Sequence, residues 1–257
     1  MVSINPVTQT EPKSSLSNKY KFVDTVQAIN VFESAGYENT SLSVASARKP
    51  DNNGYQKHLL KFRHKSYIDN PAPVVPEILL INSHSGACSF RLMLGFYRMA
   101  CANGIICGDT LQEIRINHRG FEPDNIKEAI YSISDSVPET VKSIKAMQSR
   151  ELSRSEKYEL ADNCLSLITA PDTWLKYDIG DSLSRLLYPK RNQDYKQDLF
   201  TVFNVIQEKI LKGGRYLMPY KNIEPVRYMK RSRGIKSIDR QISVNKELFS
   251  LATAFIS

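Results

Sequence analysis

Alternating apolar and polar positions dominate the first half of the chain and predict an antiparallel sheet. Asp24 can cap a short helix, which Gly36 would end. Three segments predict strands, the last as a continuous apolar run covered on both faces: 42–47, 56–64 and 77–82. Residues 1–19 hold few apolar side chains, so we expect them to form a flexible tail.

A longer apolar stretch over 87–102 predicts a buried helix, because the Asn103-Gly104 pair behind it suits a helix end. One stripe of that helix would carry Arg91, Gly95 and Arg98. Two guanidinium groups beside a glycine could hold a phosphate through paired hydrogen bonds. Alternatively, the two arginines pair with carboxylates at the edge of the core, such as Glu77 or Glu113. The pattern leaves both interpretations open.

After a predicted hairpin, the second half of the chain reads as helical. The hairpin comprises 105–107 and 112–118. Apolar positions then recur at helical spacing in five segments: 123–133, 137–147, 155–168, 195–211 and 244–256. The predicted fold class is therefore α+β, with an antiparallel sheet and a buried helix in the N-terminal half and a mostly helical C-terminal half.

These elements predict three parts of the chain. The flexible tail at 1–19 precedes an α+β core at 20–121. A helical region follows at 122–257, and we expect it to pack on the core as one unit. Within that region, 215–240 is rich in charge and poor in apolar residues, so it is expected to be a basic loop.

Positive charge is concentrated in that predicted loop. The formal net charge of the chain is +8, and 215–240 alone holds eight basic and two acidic residues. Three tyrosines interleave with these cations: Tyr216, Tyr220 and Tyr228. Proteins that bind single strands combine cations for the phosphates with aromatic rings that stack on bases. We therefore expect nucleic acid, and single-stranded DNA in particular, as the partner. The alternative is a solvated loop whose tyrosines pack against the helices.

The candidate nucleic-acid ligands come from this segment and from three cations of the predicted core. They are Arg98, Lys61, Arg63, Arg215, Arg227, Tyr228, Lys230, Arg231, Arg233 and Lys236. Lys61 and Arg63 lie in a strand that also carries His58 and His64, and the four side chains together predict a basic surface.

No motif indicates catalysis, a cofactor or a metal. The chain lacks a GxSxG nucleophile turn and a GxxxxGK[ST] phosphate loop, and no pair of carboxylates stands out as a catalytic signature. A mixed metal site is one alternative, but its spacing matches no established ligand pattern: His84, Cys88, Cys101 and Cys107. We therefore expect no enzyme activity, no cofactor and no metal. No membrane partner is expected either, and a cytoplasmic location in the host cell follows from the lack of a signal peptide or apolar span.

Several segments, in a fixed order, resemble one known family. They are 20–25, 57–63, 82–86, 90–92, 101–104, 204–208, 213–214 and 233–238, followed by Asn245. Together they cover nearly the whole chain and resemble the phage- and plasmid-borne family catalogued as domain of unknown function nine-three-two. The resemblance implies a protein of mobile elements, commonly found near recombination and anti-restriction genes. It supplies no reaction or ligand set, so no catalytic residue is transferred.

Charge and resemblance together predict a nucleic-acid-binding accessory protein of a phage or plasmid, with binding or annealing of single-stranded DNA as its activity. The alternative is an anti-defence protein, of the anti-CRISPR or anti-restriction kind. Such a protein would use its positive surface to bind a host defence complex. Both hypotheses leave the oligomeric state open.

Overall fold

A computed structural model gives the fold of the chain and describes residues 5–47, 49–70, 72–99, 103–106, 113–116, 123–169, 179–217 and 230–256. The chain folds as two compact units, Met1–Pro138 and Glu139–Ser257. We refer to them as the N-terminal and the C-terminal unit. The α+β class is confirmed, with a sheet in the first half and mainly helices in the second.

An antiparallel sheet forms the N-terminal unit. Its strands are β1 (Tyr37–Val44), β2 (His58–His64), β3 (Val74–Asn82), β4 (Phe90–Arg98), β5 (Asn103–Ile106) and β6 (Glu113–Ile116). Strands β1 to β5 follow one another in space, and β6 pairs with β4. The two central strands, β3 and β4, are almost wholly buried, whereas the edge strand β1 is mostly exposed. This distribution explains the continuous apolar runs of the central strands.

Helices pack against this sheet. They are α1 (Thr25–Ser34), the short α2 (Lys65–Asp69) and α3 (Pro123–Asp135). As predicted, Asp24 caps α1, and its Oδ1 accepts a hydrogen bond from the Val26 amide at 2.7 Å. Phe32 of α1 stacks on Phe62 of β2 with ring centroids 3.9 Å apart. Through this contact, α1 packs against β2 of the sheet.

The predicted helix over 87–102 is wrong, because Phe90–Arg98 forms strand β4. Its residues pair in register with β3, from Ile81 opposite Arg91 to Val74 opposite Arg98. A segment that is apolar on both faces has no period to tell a strand from a helix, so the sheet partner decides. The predicted hairpin also differs: β5 and β6 pair with opposite ends of β4 and not with each other.

The C-terminal unit is built around one buried helix. Its helices are α4 (Val137–Ser149), which begins at the end of the N-terminal unit, α5 (Arg154–Ser166), α6 (Ile179–Leu187), α7 (Leu199–Lys212) and α8 (Ile238–Thr253). In α7, every residue from Leu199 to Leu211 is buried. No helix in the described ranges is long and apolar enough to cross a membrane.

The expected basic loop contains regular structure. Residues Gly213–Leu217 form β7 and Lys230–Arg233 form β8, and the two strands pair as an antiparallel ribbon. Helix α8 begins at Ile238, earlier than the predicted start at 244, because Ser237 caps it and Ile238 and Ile242 extend its buried stripe. Residues 218–229 lie outside the described part of the chain.

The predicted tail makes specific contacts where the structure describes it. Pro6–Thr8 forms a short 3₁₀ turn capped by Asn5, with Val7 buried. Further along, the Lys13 amide donates to the His84 carbonyl at 3.0 Å. The Lys13 bond attaches this segment to the loop that follows β3, and the 3₁₀ turn contacts α1.

Candidate functional site

The predicted ligands Lys61 and Arg63 surround a buried carboxylate in the N-terminal unit. Glu77 of β3 is only 1% exposed, and its Oε1 accepts from Arg63 Nε at 2.8 Å. Its Oε2 lies 3.8 Å from Lys61 Nζ. The guanidinium of Arg63 also stacks over the Tyr97 ring, 3.6 Å from its centroid. The two cations therefore neutralise an internal anion, and sequence reasoning missed the anion that engages them.

Arg91 and Arg98, which the sequence pattern places on one stripe of a predicted helix, lie on strand β4 of the sheet. Arg91 Nη1 is 3.7 Å from Glu113 Oε1, which is one of the two carboxylate partners anticipated above. Glu113 also accepts from Arg115 Nε at 2.8 Å. Arg98 is 6% exposed at the end of β4, opposite Asn103 of β5. A side chain buried to that extent offers little surface to an external phosphate.

The remaining candidate ligands belong to the β7–β8 ribbon of the C-terminal unit and to the short segment between β8 and α8. Arg215 lies in β7, Lys230, Arg231 and Arg233 lie in β8, and Lys236 precedes α8. The register sets Tyr216 opposite Arg231 and Leu217 opposite Lys230. Two other predicted ligands, Arg227 and Tyr228, fall outside the described residues.

Two glycines join this ribbon to the end of helix α7. A Cβ added at Gly213, whose φ is +74°, would lie 2.4 Å from the Gly234 amide nitrogen. A Cβ at Gly234 would lie 2.7 Å from the Lys212 carbonyl oxygen. The backbones touch at this point, and the Ile235 amide donates to the Leu211 carbonyl at 2.8 Å. The base of the ribbon is therefore fixed to the buried core of its unit.

Cations at the base of the ribbon face solvent. Arg233 and Lys236 are exposed, and within the described ranges no carboxylate lies within 4.0 Å of either charged group. Arg240 is also exposed, and its Nη2 donates to the Leu167 carbonyl at 3.0 Å. Unlike Lys61 and Arg63, Arg233 and Lys236 are not used to neutralise an internal anion among the residues described.

A second polar feature, the histidine cluster, is closed to solvent inside the N-terminal unit. It consists of Thr25, His58, Asn82 and His84, each of which is 0% exposed. Thr25 Oγ1 lies 2.9 Å from His58 Nε2 and 3.2 Å from His84 Nε2. Asn82 Nδ2 also donates to this oxygen at 3.0 Å. The cluster ties the start of α1 to the ends of β2 and β3.

Hydrogen-bond valence fixes the proton positions in this cluster. His58 Nδ1 faces the Gln56 carbonyl at 3.0 Å, and a carbonyl only accepts, so Nδ1 carries the proton. His58 Nε2 must then accept the Thr25 hydroxyl proton. The two lone pairs of Thr25 Oγ1 are left for Asn82 and for the Nε2–H of His84. A second proton on His58 has no acceptor in this arrangement, and burial lowers the pKa of His58 while its bond to Gln56 acts in the opposite direction.

We expect this cluster to make the protein sensitive to acid. An unfolded histidine binds a proton near pH ~6.5, whereas folded His58 binds it only at lower pH. As the pH falls from about 7.5 to about 5, the unfolded state therefore holds more protons, and the free energy of unfolding should fall by up to ~1.4 kcal/mol per pH unit. Denaturant unfolding at several pH values measures the effect.

The matched variants for this measurement are His58→Gln and His64→Gln. The first should lose the part of the pH dependence that His58 contributes, and the second, at a partly exposed histidine, should keep it. Equal pH dependence in wild type and His58→Gln would show that another group is responsible.

The described residues give no sign of a metal centre. Among them, no group of three or more His, Cys, Asp or Glu side chains could hold a metal ion. His84 is engaged in the histidine cluster, and Cys88 is a half-buried cysteine. Cys101 and Cys107, the other residues of the suggested site, lie outside the described part of the chain. His58 is buried, so the basic surface expected around it does not include its ring.

Comparison with known proteins identifies the family. A family model described as Domain of unknown function (DUF932) matches residues 12–249. The chain belongs to this family. The resemblance seen in the sequence is thereby confirmed, and three of the segments that carry it in this DUF932 protein, 20–25, 57–63 and 82–86, meet in the histidine cluster.

Two curated relatives come from Escherichia coli (strain K12). The chain is 28% identical to UPF0380 protein YafZ over 248 residues, which span 95% of this chain and 85% of the relative. It is 27% identical to UPF0380 protein YfjQ over the same length and shares. No solved structure matches this DUF932 protein.

Proposed function

We propose that this protein binds single-stranded nucleic acid through the basic segment 215–240, as a DNA-handling accessory of a mobile genetic element. One observation carries the proposal. The segment has a net charge of +6 and is joined by close backbone contacts to the end of the buried helix α7. Its exposed Arg233 and Lys236 have no internal carboxylate partner among the described residues. The mobile-element context rests on the family resemblance alone.

The contrast between the two units supports this choice of interface. In the N-terminal unit, Lys61, Arg63 and Arg91 are held by Glu77 or Glu113. Cations that neutralise internal anions have little charge left to attract a phosphate backbone. The ribbon also carries Tyr216 at the register position opposite Arg231, so its sequence combines cations with an aromatic residue, the mixture that single-strand binders use.

The first expected result is salt-dependent binding of single-stranded DNA. If about four to six phosphates are neutralised, a plot of log affinity against log salt should have a slope of about −3 to −4. Fluorescence anisotropy of a labelled oligonucleotide at several salt concentrations measures it. Absence of binding by folded protein at about 50 mM salt would refute the proposal.

The alternative, a protein that binds a host defence complex, stays a sequence-based prediction. The same titration separates the two, because a protein that opposes a defence complex by direct contact needs no affinity for free oligonucleotide.

A further inference from the structure

A half-open cavity of about 360 Å³ lies within the N-terminal unit. Its floor is apolar and includes the buried side chains of Ile78 and Leu94 on the sheet. Around this floor stand three aromatic rings, those of Tyr37, His64 and Tyr67. A concave apolar site with few polar groups is the usual form of a small-molecule pocket, and its volume lies at the lower end of the usual range of ~300–1,000 Å³.

The three rings form a connected aromatic wall. Tyr37 of β1 and His64 of β2 are cross-strand partners, and their rings meet edge to face with centroids 5.2 Å apart. Tyr67 of α2 continues the wall, 6.4 Å from His64. Gly36 fits closely behind His64, since a Cβ there would lie 2.9 Å from Nε2. Ring faces and edges in this arrangement suit a flat aromatic ligand better than a branched aliphatic one.

Hydrogen-bond valence also sets the polarity of this cavity. The amide of Ser66 donates to His64 Nδ1 at 3.3 Å, so Nδ1 is an acceptor and the Ser66 hydroxyl, 2.8 Å away, donates to it as well. The Ser134 hydroxyl donates to the Ile130 carbonyl at 2.7 Å. The Tyr37 hydroxyl must therefore donate to Ser134 Oγ at 2.8 Å.

These assignments use the hydroxyl protons of Ser66, Tyr37 and Ser134. Ser66, Tyr37 and Ser134 keep oxygen lone pairs that can accept further hydrogen bonds, but none keeps a proton to donate. With Nδ1 an acceptor, the ring proton of His64 lies on Nε2, and the Tyr67 hydroxyl is a further group that can donate. A ligand suited to this cavity therefore brings N–H donors for the three oxygens, and acceptor atoms of its own, at the edge of a flat ring.

We propose that this pocket binds a nucleobase that carries an amino group. The flat ring meets the aromatic wall, and the amino hydrogens meet the acceptor oxygens of Ser66, Tyr37 and Ser134. A free nucleoside and a base of a single strand present this same chemistry. The inference rests on the proposed function for its source of bases, and it extends that function by giving the N-terminal unit a contact of its own with the base.

The test follows the His64 ring by nuclear magnetic resonance, which is practical because the chain has only four histidines. The ligands are adenosine, purine riboside, which lacks the amino group, and ribose 5-phosphate, which lacks the ring. Adenosine should shift the His64 ring signals with saturation, purine riboside should bind at least about fivefold more weakly, and ribose 5-phosphate should cause no shift.

A matched pair of tyrosine variants locates the site. Tyr67→Ala removes part of the aromatic wall and should weaken adenosine at least about fivefold. Tyr131→Ala removes an exposed tyrosine of α3 that does not line the cavity, and it should leave adenosine binding unchanged. Both side chains are exposed, so neither change should prevent folding.

The source of the base is resolved by a fourth ligand, a short oligodeoxyadenylate. A shift of His64 that Tyr67→Ala abolishes identifies a base of the strand as the ligand, whereas a shift with adenosine only identifies the free nucleoside. Oligonucleotide binding without any His64 shift by adenosine or oligonucleotide would overturn the pocket proposal and leave the proposed function standing. Adenosine binding without oligonucleotide binding would support the pocket proposal and refute the proposed function. Equal shifts by ribose 5-phosphate and adenosine would also overturn the pocket proposal.

Discussion

Replacing Arg63 by methionine should lower the free energy of unfolding by about 3–5 kcal/mol. The change leaves Glu77 buried at 1% exposure, with Lys61 at 3.8 Å as its nearest remaining cation. It also removes the stacking of the guanidinium on Tyr97. Denaturant unfolding measures the loss, and oligonucleotide affinity of the folded variant should stay within about twofold of wild type, since Arg63 serves an internal partner.

A second substitution distinguishes the buried pair from ordinary packing. Adding Glu77→Met to Arg63→Met should restore part of the lost stability, because an apolar pair can replace a buried ion pair at little cost. Arg115→Met is the control: Arg115 pairs with Glu113 but is mostly exposed, so its loss should cost less than about 1 kcal/mol. A stable Arg63→Met variant with weakened oligonucleotide binding would mean that Arg63 is a nucleic-acid ligand.

Replacing Lys209 by methionine should destabilise the C-terminal unit by about 3 kcal/mol or more. Lys209 lies in the buried helix α7, is 7% exposed, and donates through Nζ to three carbonyl oxygens at the end of α6. They belong to Arg185 at 2.7 Å, Leu186 at 3.0 Å and Tyr188. Carbonyls at a helix end have no partner within the helix, so the variant leaves them without their donor.

Lys212→Met is the matched control, one turn further along α7. Lys212 is partly exposed and lies 3.2 Å from Glu208, so its loss should cost at most about 1 kcal/mol. Hydrogen exchange gives a local readout, because Lys209→Met should reduce amide protection in α6 more than elsewhere. Similar losses of stability in both variants would contradict the role assigned to Lys209.

Local signals in the sequence predict part of the fold. The cap at Asp24, the alternation over 56–64 and the apolar run over 77–82 each predicted an element that the structure confirms. Strand β4 could not be predicted in the same way, because its residues are buried on both faces and the pairing with β3 is not local. The ribbon was missed for a related reason: its stability depends on the contact between Gly213 and Gly234, which are distant in sequence.

The polar sites also divide into those that the sequence predicts and those that depend on contacts between distant segments. Glu77 lies on β3, and its partners Lys61 and Arg63 lie on the preceding strand β2. The sequence therefore signals an internal pair only once the register of β2 and β3 is known. The histidine cluster joins residues from three separate segments, so no spacing rule in the sequence reveals it. The basic segment, in contrast, is visible in composition alone.

The measurement that tests the central claim most directly compares oligonucleotide binding by wild type and two triple variants. In the first, Lys230, Arg231 and Arg233 of the ribbon are changed to Ala. In the second, three exposed lysines of the same unit are changed to Ala, namely Lys142, Lys145 and Lys196. Both remove the same charge. The ribbon variant should bind at least about tenfold more weakly, and its log–log salt slope should become shallower by about 2, while the control keeps most of the wild-type affinity and slope. Equal losses in the two variants would contradict an interface at the ribbon.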